Sequence, residues 1–317
     1  MKVLVTGANG FVGRWLVRAL RQHGHQVVAA AGPEGSGTGH RAAGSGREEG
    51  VEWVPLDLRD IESVRAVLRH GYDAVAHLAG QSSGGASYAD PGTSWEINAA
   101  GTARLAWEVA RVLPESDADP TFLLVSTSDV YDDGAGRLID EDGEVSPRSP
   151  YAASKLGAEL AAREILNRTG LKLVIARAFP HTGPGQDPRF VAPVLAQRLR
   201  TAKQAGLRTV PVGNLRLTRD FLDVRDVVEA YVGLLEKGEI AEVYNVASGT
   251  PVRLEELFRK LAGIIGTDAE PELDPALLRD DAEWLVGDAS RLRAVTGWSP
   301  RYTLDTTLRD LVDAQAN

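Results

Sequence analysis

The chain has 317 residues, 43% of them hydrophobic and 25% charged, with a formal net charge of −9 and no cysteine. These are the proportions of an ordinary globular protein. The missing cysteines exclude disulfides, thiolate metal sites and a cysteine nucleophile, and the acidic balance argues against a nucleic-acid partner, which would need a basic stripe.

A prior of about 150 residues per domain favours two lobes. There is no apolar run of roughly 18 residues to span a membrane. Met1-Lys2 leads straight into a strand-like segment with no signal-peptide pattern, so the cytoplasm is the expected location. The first predicted strand is Val3-Leu4-Val5, followed by helical spacing through Phe11, Leu16, Ala19 and Leu20. Further strands fall at Gln26-Val27-Val28-Ala29 and Val51-Glu52-Trp53-Val54, with a Gly-, Ser- and Ala-rich stretch from Gly32 to Gly50 between them that reads as a mobile loop. A helix from Ser63 to Leu68 precedes the strand Ala74-Val75-Ala76-His77-Leu78. A helix around Gly101 to Val112, a strand from Thr121 to Val125, a helix from Ala152 to about Asn167 and a strand at Leu173-Val174-Ile175-Ala176 complete the alternation. Such alternation predicts βαβ units and right-handed crossovers, giving an α/β fold with a doubly wound parallel sheet of Rossmann type. Several strands are continuous apolar runs, as expected of a sheet covered on both faces.

Past Phe179 the regularity falls, and Gly/Pro turns mix with helical patches. This predicts a dinucleotide-binding domain over 1-176, to which parts of 211-248 return, and a smaller C-terminal α/β substrate lobe over 177-317.

Gly7-Ala8-Asn9-Gly10-Phe11-Val12-Gly13 lies between the first strand and first helix. Glycines there let the backbone turn tightly and approach a pyrophosphate, which meets the helix N-terminus. Gly7, Asn9, Gly10, Phe11, Val12 and Gly13 are therefore candidate cofactor contacts, with Leu78 and Ala79 at the end of the fourth strand. Asp57-Leu58 closes the third strand and would suit the adenine amine; a helix cap before Ile61 is the alternative. The second strand ends Ala30-Ala31-Gly32, without the acid that usually grips a ribose 2′-hydroxyl, and His40 and Arg41 follow in the loop. NADP(H) is thereby favoured over NAD(H).

Tyr151 and Lys155 stand four residues apart at the start of a helix, on one face. An ammonium beside a phenol would lower the phenol's pKa from about 10, making it a usable acid or base. In Ser126-Thr127-Ser128-Asp129-Val130-Tyr131 another strand ends in hydroxyls able to polarise a carbonyl.

The glycine cradle, Asn98 in Ile97-Asn98-Ala99-Ala100-Gly101-Thr102, Thr127, Tyr151 and Lys155 together resemble the extended short-chain dehydrogenases/reductases, the NAD-dependent epimerase/dehydratase family, over almost the whole chain. The resemblance implies Tyr151 as proton donor or acceptor, Lys155 on the nicotinamide ribose and Thr127 on the reacting oxygen. It further implies that Asn98 supports the active-site helix and its waters. It also implies a homodimer built from a four-helix bundle of the helix after Gly101 and the Tyr151 helix.

The stretches Arg177 to Gln186, Val212-Gly213-Asn214-Leu215, Arg219 to Asp226 and Leu273 to Arg279 are similar to the substrate loops of GDP-4-keto-6-deoxy-mannose reductases, and several are shared with GDP-mannose 4,6-dehydratases. This implies a nucleotide-diphosphate sugar held by Ser126, His181, Gln186, Asn214, Arg219 and Arg279. Arg219 and Arg279 could each give bidentate hydrogen bonds to a diphosphate. Three departures from the family pattern stand out: Pro180 for an asparagine, Asp132 for the glycine after Val-Tyr, and Asp129 for a glutamate. The last shortens a candidate catalytic base by one methylene, about 1.5 Å. The expected reaction is therefore reduction of a 4-keto-6-deoxy sugar, with a 4-epimerase or 4,6-dehydratase next. A non-catalytic dinucleotide sensor would have no need of Thr127, Tyr151 and Lys155 together.

The six histidines form no metal-ligand pattern. His77, in an apolar strand, reads as a packed core residue. Trp95 and Trp107 are expected to pack in or beside helices, and Glu48-Glu49 and Asp280-Asp281 to be solvated charge pairs.

Overall fold

A computed structural model of the chain describes residues 1–32, 48–82, 84–112, 120–239 and 242–315. The loop with His40 and Arg41 lies outside the described residues. The chain runs through β1 (Lys2–Thr6), α1 (Phe11–Gln22), β2 (Gln26–Ala31), β3 (Glu52–Pro55), α2 (Ile61–Leu68), β4 (Ala74–His77), α3 (Gly84–Ala89) and α4 (Pro91–Trp95). A π-helical turn at Glu96–Ala100 leads into α5 (Gly101–Val112), then β5 (Thr121–Thr127), α6 (Pro150–Leu166) and β6 (Lys172–Ala178). The remainder comprises β7 (His181–Thr182), α7 (Val191–Ala205), β8 (Thr209–Val212), β9 (Thr218–Asp220), β10 (Leu222–Asp223), α8 (Val224–Lys237) and β11 (Glu242–Val246). It closes with β12 (Pro251–Arg253), α9 (Leu254–Ile265), β13 (Glu270–Leu273), β14 (Trp284–Leu285), α10 (Ser290–Thr296) and α11 (Leu304–Ala314).

Seven parallel strands form the main sheet in the order β11-β6-β5-β4-β1-β2-β3. Apolar side chains alternate to both faces. Val3, Val5 and Ala29 join Leu16, Leu20, Val227 and Tyr231 of α1 and α8, while Leu4, Val28 and Val75 join Val64, Leu105 and Ala162 of α2, α5 and α6. The winding reverses between β1 and β4, and ligands of open α/β sheets bind outside the strand ends at such a point.

A third core, in the C-terminal lobe, packs α7, α9 and α11 around Leu199, Phe221, Leu257, Phe258 and Leu311. Its strands form small sheets, β12-β9-β14 and β13-β8. The lobe is tied together by buried acids spent on backbone amides. Asp220 accepts from the amides of Ser248 (2.9 Å) and Gly249 (2.8 Å), and Asp226 from those of Arg301 (2.9 Å) and Tyr302 (3.0 Å).

Helix starts differ from the sequence expectation in informative ways. α2 begins at Ile61, with Asp60 accepting from the Glu62 amide, and α6 at Pro150, with Ser149 accepting from the Ala152 amide. Proline at the first helical position has no amide to satisfy, so both the cap and the proline extend the helix backwards. Trp95 and Trp107 do sit on helices but are 45% and 56% exposed. The Trp95 ring lies against Gly157 of α6, where a Cβ would stand 2.7 Å from it.

Candidate functional site

A cavity of about 790 Å³ opens along the carboxyl ends of β1, β4 and β5 and runs beneath the C-terminal lobe. Gly7, Asn9, Gly10, Phe11, Val12, Gly13, Asp57, Leu58, Leu78, Ala79, Thr127, Asp129, Tyr151, His181, Gln186, Asn214, Arg219 and Arg279 all line it.

The cradle is built from what glycine lacks. Gly7 has φ +69°, and a Cβ on Gly13 would fall 2.2 Å from the Gly7 carbonyl oxygen. The N-terminus of α1 has no side-chain cap and no acid in its first turn, leaving its amides and positive dipole end to an anion. A dinucleotide pyrophosphate fits this set of donors. Asp57 neither caps a helix nor stands free: its carboxylate takes a forked pair of hydrogen bonds from Arg59 (3.0 and 2.8 Å), which holds its pKa below the usual range, and Asp60 is the cap.

Next to the cradle lies the hydroxyl row. Thr127 ends β5, its hydroxyl accepts from the Asp129 amide (3.2 Å), and it lines the cavity together with Tyr151. Burial, then the Asp129 charge, pushes the phenol above its ordinary pKa, so Tyr151 is held protonated. This corrects the sequence expectation of a phenol depressed by Lys155. The ammonium donates instead to the Val125 carbonyl (2.5 Å), and burial draws Lys155 down to about 8 against the opposing pull of Glu159. Asp129 is raised by burial, with Arg219 opposing and Asp281 adding to the rise.

Ser126 is a second correction. Successive side chains of a strand point to opposite faces, so with Thr127 facing the cavity Ser126 faces α6. There its hydroxyl donates to Glu159, whose carboxylate takes two bonds from Arg177 (3.1 and 2.7 Å). The Arg177 guanidinium lies 4.8 Å from the Tyr131 ring centroid, and the Tyr131 hydroxyl donates to Asn245 (2.8 Å). Ser126 thus belongs to a buried scaffold under the catalytic helix.

On the substrate side, His181 stacks on Phe11 at 6.4 Å, and its Nδ1 donates to the Phe179 carbonyl (2.9 Å). Gln186 lines the cavity but spends its amide within the loop, accepting from Thr182 (2.6 Å) and donating to the His181 carbonyl (2.9 Å). Asn214 likewise accepts from the Arg216 amide (3.0 Å). Arg219 is largely enclosed and faces Asp129 and Asp281, whereas Arg279 is exposed at the rim beside Gly85. Asp280 and Asp281 are both exposed, as expected of a solvated pair, and both line the cavity. Their segment folds over the cavity mouth, and Asp280 approaches Arg148 (3.9 Å), which also binds Asp132 (2.6 Å). Glu48, at the edge of the cradle lobe, pairs with Arg18 (2.9 Å). Sequence reasoning missed Arg14, Arg59, Arg148 and Arg198, all cavity-lining; basic side chains scattered along the chain give no local signal of convergence.

Residues 4–311 match the model of the GDP-mannose 4,6-dehydratase family. The chain is 35% identical to the GDP-6-deoxy-D-mannose reductase of Pseudomonas aeruginosa, over 98% of this chain and 96% of that one. The solved structure of RMD from Pseudomonas aeruginosa, complexed with NADPH, superposes with a TM-score of 0.80 at 32% identity, covering 99% of this chain and 98% of that one. The Thermus thermophilus UDP-glucose 4-epimerase in complex with NAD gives a TM-score of 0.84 at 29% identity, covering 100% and 99%. With its parallel sheet, glycine cradle and Thr–Tyr–Lys constellation, the chain belongs to the GDP-mannose 4,6-dehydratase family of extended short-chain dehydrogenases/reductases.

Proposed function

We propose that this protein uses NADPH to reduce the 4-keto group of a GDP-linked 4-keto-6-deoxy-mannose-type sugar, giving a GDP-rhamnose-type product. The observation that carries the reading is that Tyr151 and Thr127 line the same cavity as the glycine cradle, with burial favouring the protonated phenol. A reductase needs that proton at the carbonyl oxygen. The bound nicotinamide supplies the hydride. Thr127 orients the carbonyl and Tyr151 delivers the proton, while the Lys155 ammonium is placed for the nicotinamide ribose. Arg219 and Arg279 hold the diphosphate, and His181 and Gln186 keep the loop over it in shape.

The relatives with this fold include both reductases and epimerases. Reduction is favoured over the two recycling reactions by Asp129, whose side chain is one methylene shorter than a glutamate and reaches less far into the cavity it lines. A base must come within hydrogen-bond reach of the sugar proton it abstracts. Preference for NADPH follows from β2, which ends at Ala31 without a carboxylate, while Arg14 and Arg59 line the same cavity. Homodimerisation through α5 and α6 is supported by Trp107 of α5 and Leu160 of α6, which stand 56% and 61% exposed.

Spectrophotometric titration with GDP-4-keto-6-deoxy-mannose tests the reading: one NADPH should be oxidised per sugar converted. Sugar conversion without net NADPH oxidation would assign the protein to the recycling epimerases or dehydratases. NADPH should bind at least as tightly as NADH, and a tenfold preference for NADH would overturn the cofactor assignment. GDP should compete with substrate better than UDP or dTDP.

A further inference from the structure

Between the floor of the cradle and the catalytic helix runs a chain of buried hydrogen bonds whose direction is fixed at both ends. His77 ends β4, paired in register with Thr6 at the end of β1. It is 1% exposed, and the Phe122 ring of β5 packs on it at 5.8 Å. Its Nδ1 lies 2.7 Å from the Thr6 hydroxyl and its Nε2 3.0 Å from the Thr102 hydroxyl of α5.

Thr102 must donate its one proton to the Asn98 carbonyl, 2.5 Å away, because a carbonyl can only accept. The Thr102 oxygen is therefore left to accept from His77, so the proton sits on Nε2. Thr6 accepts from the Ala79 amide (3.1 Å), which leaves its own proton for the bare Nδ1. Only one neutral tautomer satisfies both ends. Burial, with Lys155 as the charged group acting on the ring, keeps His77 neutral by drawing its pKa to about 3.

The chain continues beyond Asn98. Its side chain accepts from the Gln81 amide (2.8 Å) and donates to the Ser154 hydroxyl (2.9 Å), and Ser154 donates to the Tyr151 carbonyl (2.7 Å). Asn98 sits in the π-helical turn, and such turns are frequent where a functional residue must be displaced from regular helix geometry. Ala79 lines the cavity beside the cradle, while Tyr151 carries the proton. The two therefore share one hydrogen-bonded line, with the imidazole at its centre.

We propose that His77, as its neutral Nε2–H tautomer bonded between Thr6 and Thr102, is a positioning residue that holds the Tyr151 helix in register with the dinucleotide cradle. It rests on the reductase reading only where turnover is measured. Its two groups of opposite character, an acceptor at Nδ1 and a donor at Nε2, join hydroxyls on different elements in a way an apolar side chain of the same volume could not.

The test has two arms. In the full-length protein with NADPH, labelled with ¹⁵N at histidine, the His77 ring is identified by its contacts with the Phe122 ring. It should read as the neutral Nε2–H tautomer from about pH 5.5 to about 8.5, across the ordinary imidazole range. His181, which donates from Nδ1, provides the opposite tautomer in the same spectrum. An Nδ1–H form of His77, or titration near the ordinary value, would overturn the proposal.

In the second arm, Thr102→Val keeps shape but removes the hydroxyl. It should lower kcat about tenfold, the scale of one buried hydrogen bond lost in the transition state, with the NADPH dissociation constant within about twofold. Thr102→Ser should restore kcat to within about twofold. Undiminished kcat in Thr102→Val, or no rescue by serine in a folded protein, would refute the positioning role. If Thr102→Val does not fold, the tautomer of the wild-type chain decides. The tautomer and the NADPH affinity need no sugar, so failure of GDP-linked substrates to turn over counts against the proposed function and not against this line of contacts.

Discussion

The cradle lobe and the C-terminal lobe offer a ligand different kinds of group. In the first, the ligand-facing groups are backbone amides and the residues that happen to end strands: Gly7 after β1, Ala79 after β4 and Thr127 at the end of β5. Their positions are dictated by a parallel sheet whose register cannot slip without turning buried side chains outward. In the second, the polar residues sit on loops and strands of two to four residues, and many are consumed in holding the lobe together. Gln186, Asn214 and Asp220 spend their side-chain oxygens on hydroxyls or amides close by. What remains for a ligand is chiefly guanidinium: Arg219 inside, Arg279 at the rim. A regular scaffold can leave its chemistry to the backbone, whereas an irregular one needs side chains both to exist and to bind.

The sharpest way to break this contrast is at the chemistry itself. Tyr151→Phe should leave NADPH affinity nearly intact and lower kcat by about a hundredfold or more, the usual scale for loss of a general acid. Near-normal turnover would mean that another group delivers the proton and that the strand-end geometry has been misread.

Arg219→Ala probes the other lobe. Each charge-assisted hydrogen bond contributes about 1.5–3 kcal/mol, so nucleotide-sugar affinity should fall roughly ten- to a hundredfold, with NADPH binding spared. Calorimetric titration of both ligands separates the two. Equal loss of both affinities would show that Arg219 supports the whole cleft.

The pH profile tests whether Lys155 must stay charged. Burial places its pKa at about 8. The ammonium is present below that value and lost above it, so kcat/KM for reduction should be flat below about pH 8 and decline above it, approaching tenfold per pH unit. A profile still flat at about pH 9.5 would show that the bound cofactor or Glu159 holds the charge in place.

Arg279→Ala should give the smallest effect. Its guanidinium is exposed at the mouth, where contacts are screened and partly replaced by water. A few-fold rise in the sugar-nucleotide KM is expected. A loss as large as that for Arg219 would mean that the segment carrying Arg279 closes over the substrate.

By itself the sequence determined the alternation of strands and helices, the glycine cradle after β1 and the Tyr151–Lys155 pair. Those depend on local rules: apolar periodicity, a Cβ that cannot fit at Gly13, and the four-residue repeat of a helix face. The tertiary structure decided the rest. Ser126 and Thr127 are neighbours in sequence, yet the strand pleat sends one to Glu159 and the other to the cavity. His77 was legible as a core residue, but its bonds to Thr6 and Thr102 bring together residues 71 and 25 positions away. Asp57, offered to adenine by its place at a strand end, lines the cavity with Arg59 paired to it. Asp281 acts on Asp129 only because the chain returns across the mouth of the cleft. Each of these depends on which partner the fold places at a polar group. Buried donors and acceptors must be satisfied by whatever the fold brings within reach, and that reach is a property of the packed chain, not of its local pattern.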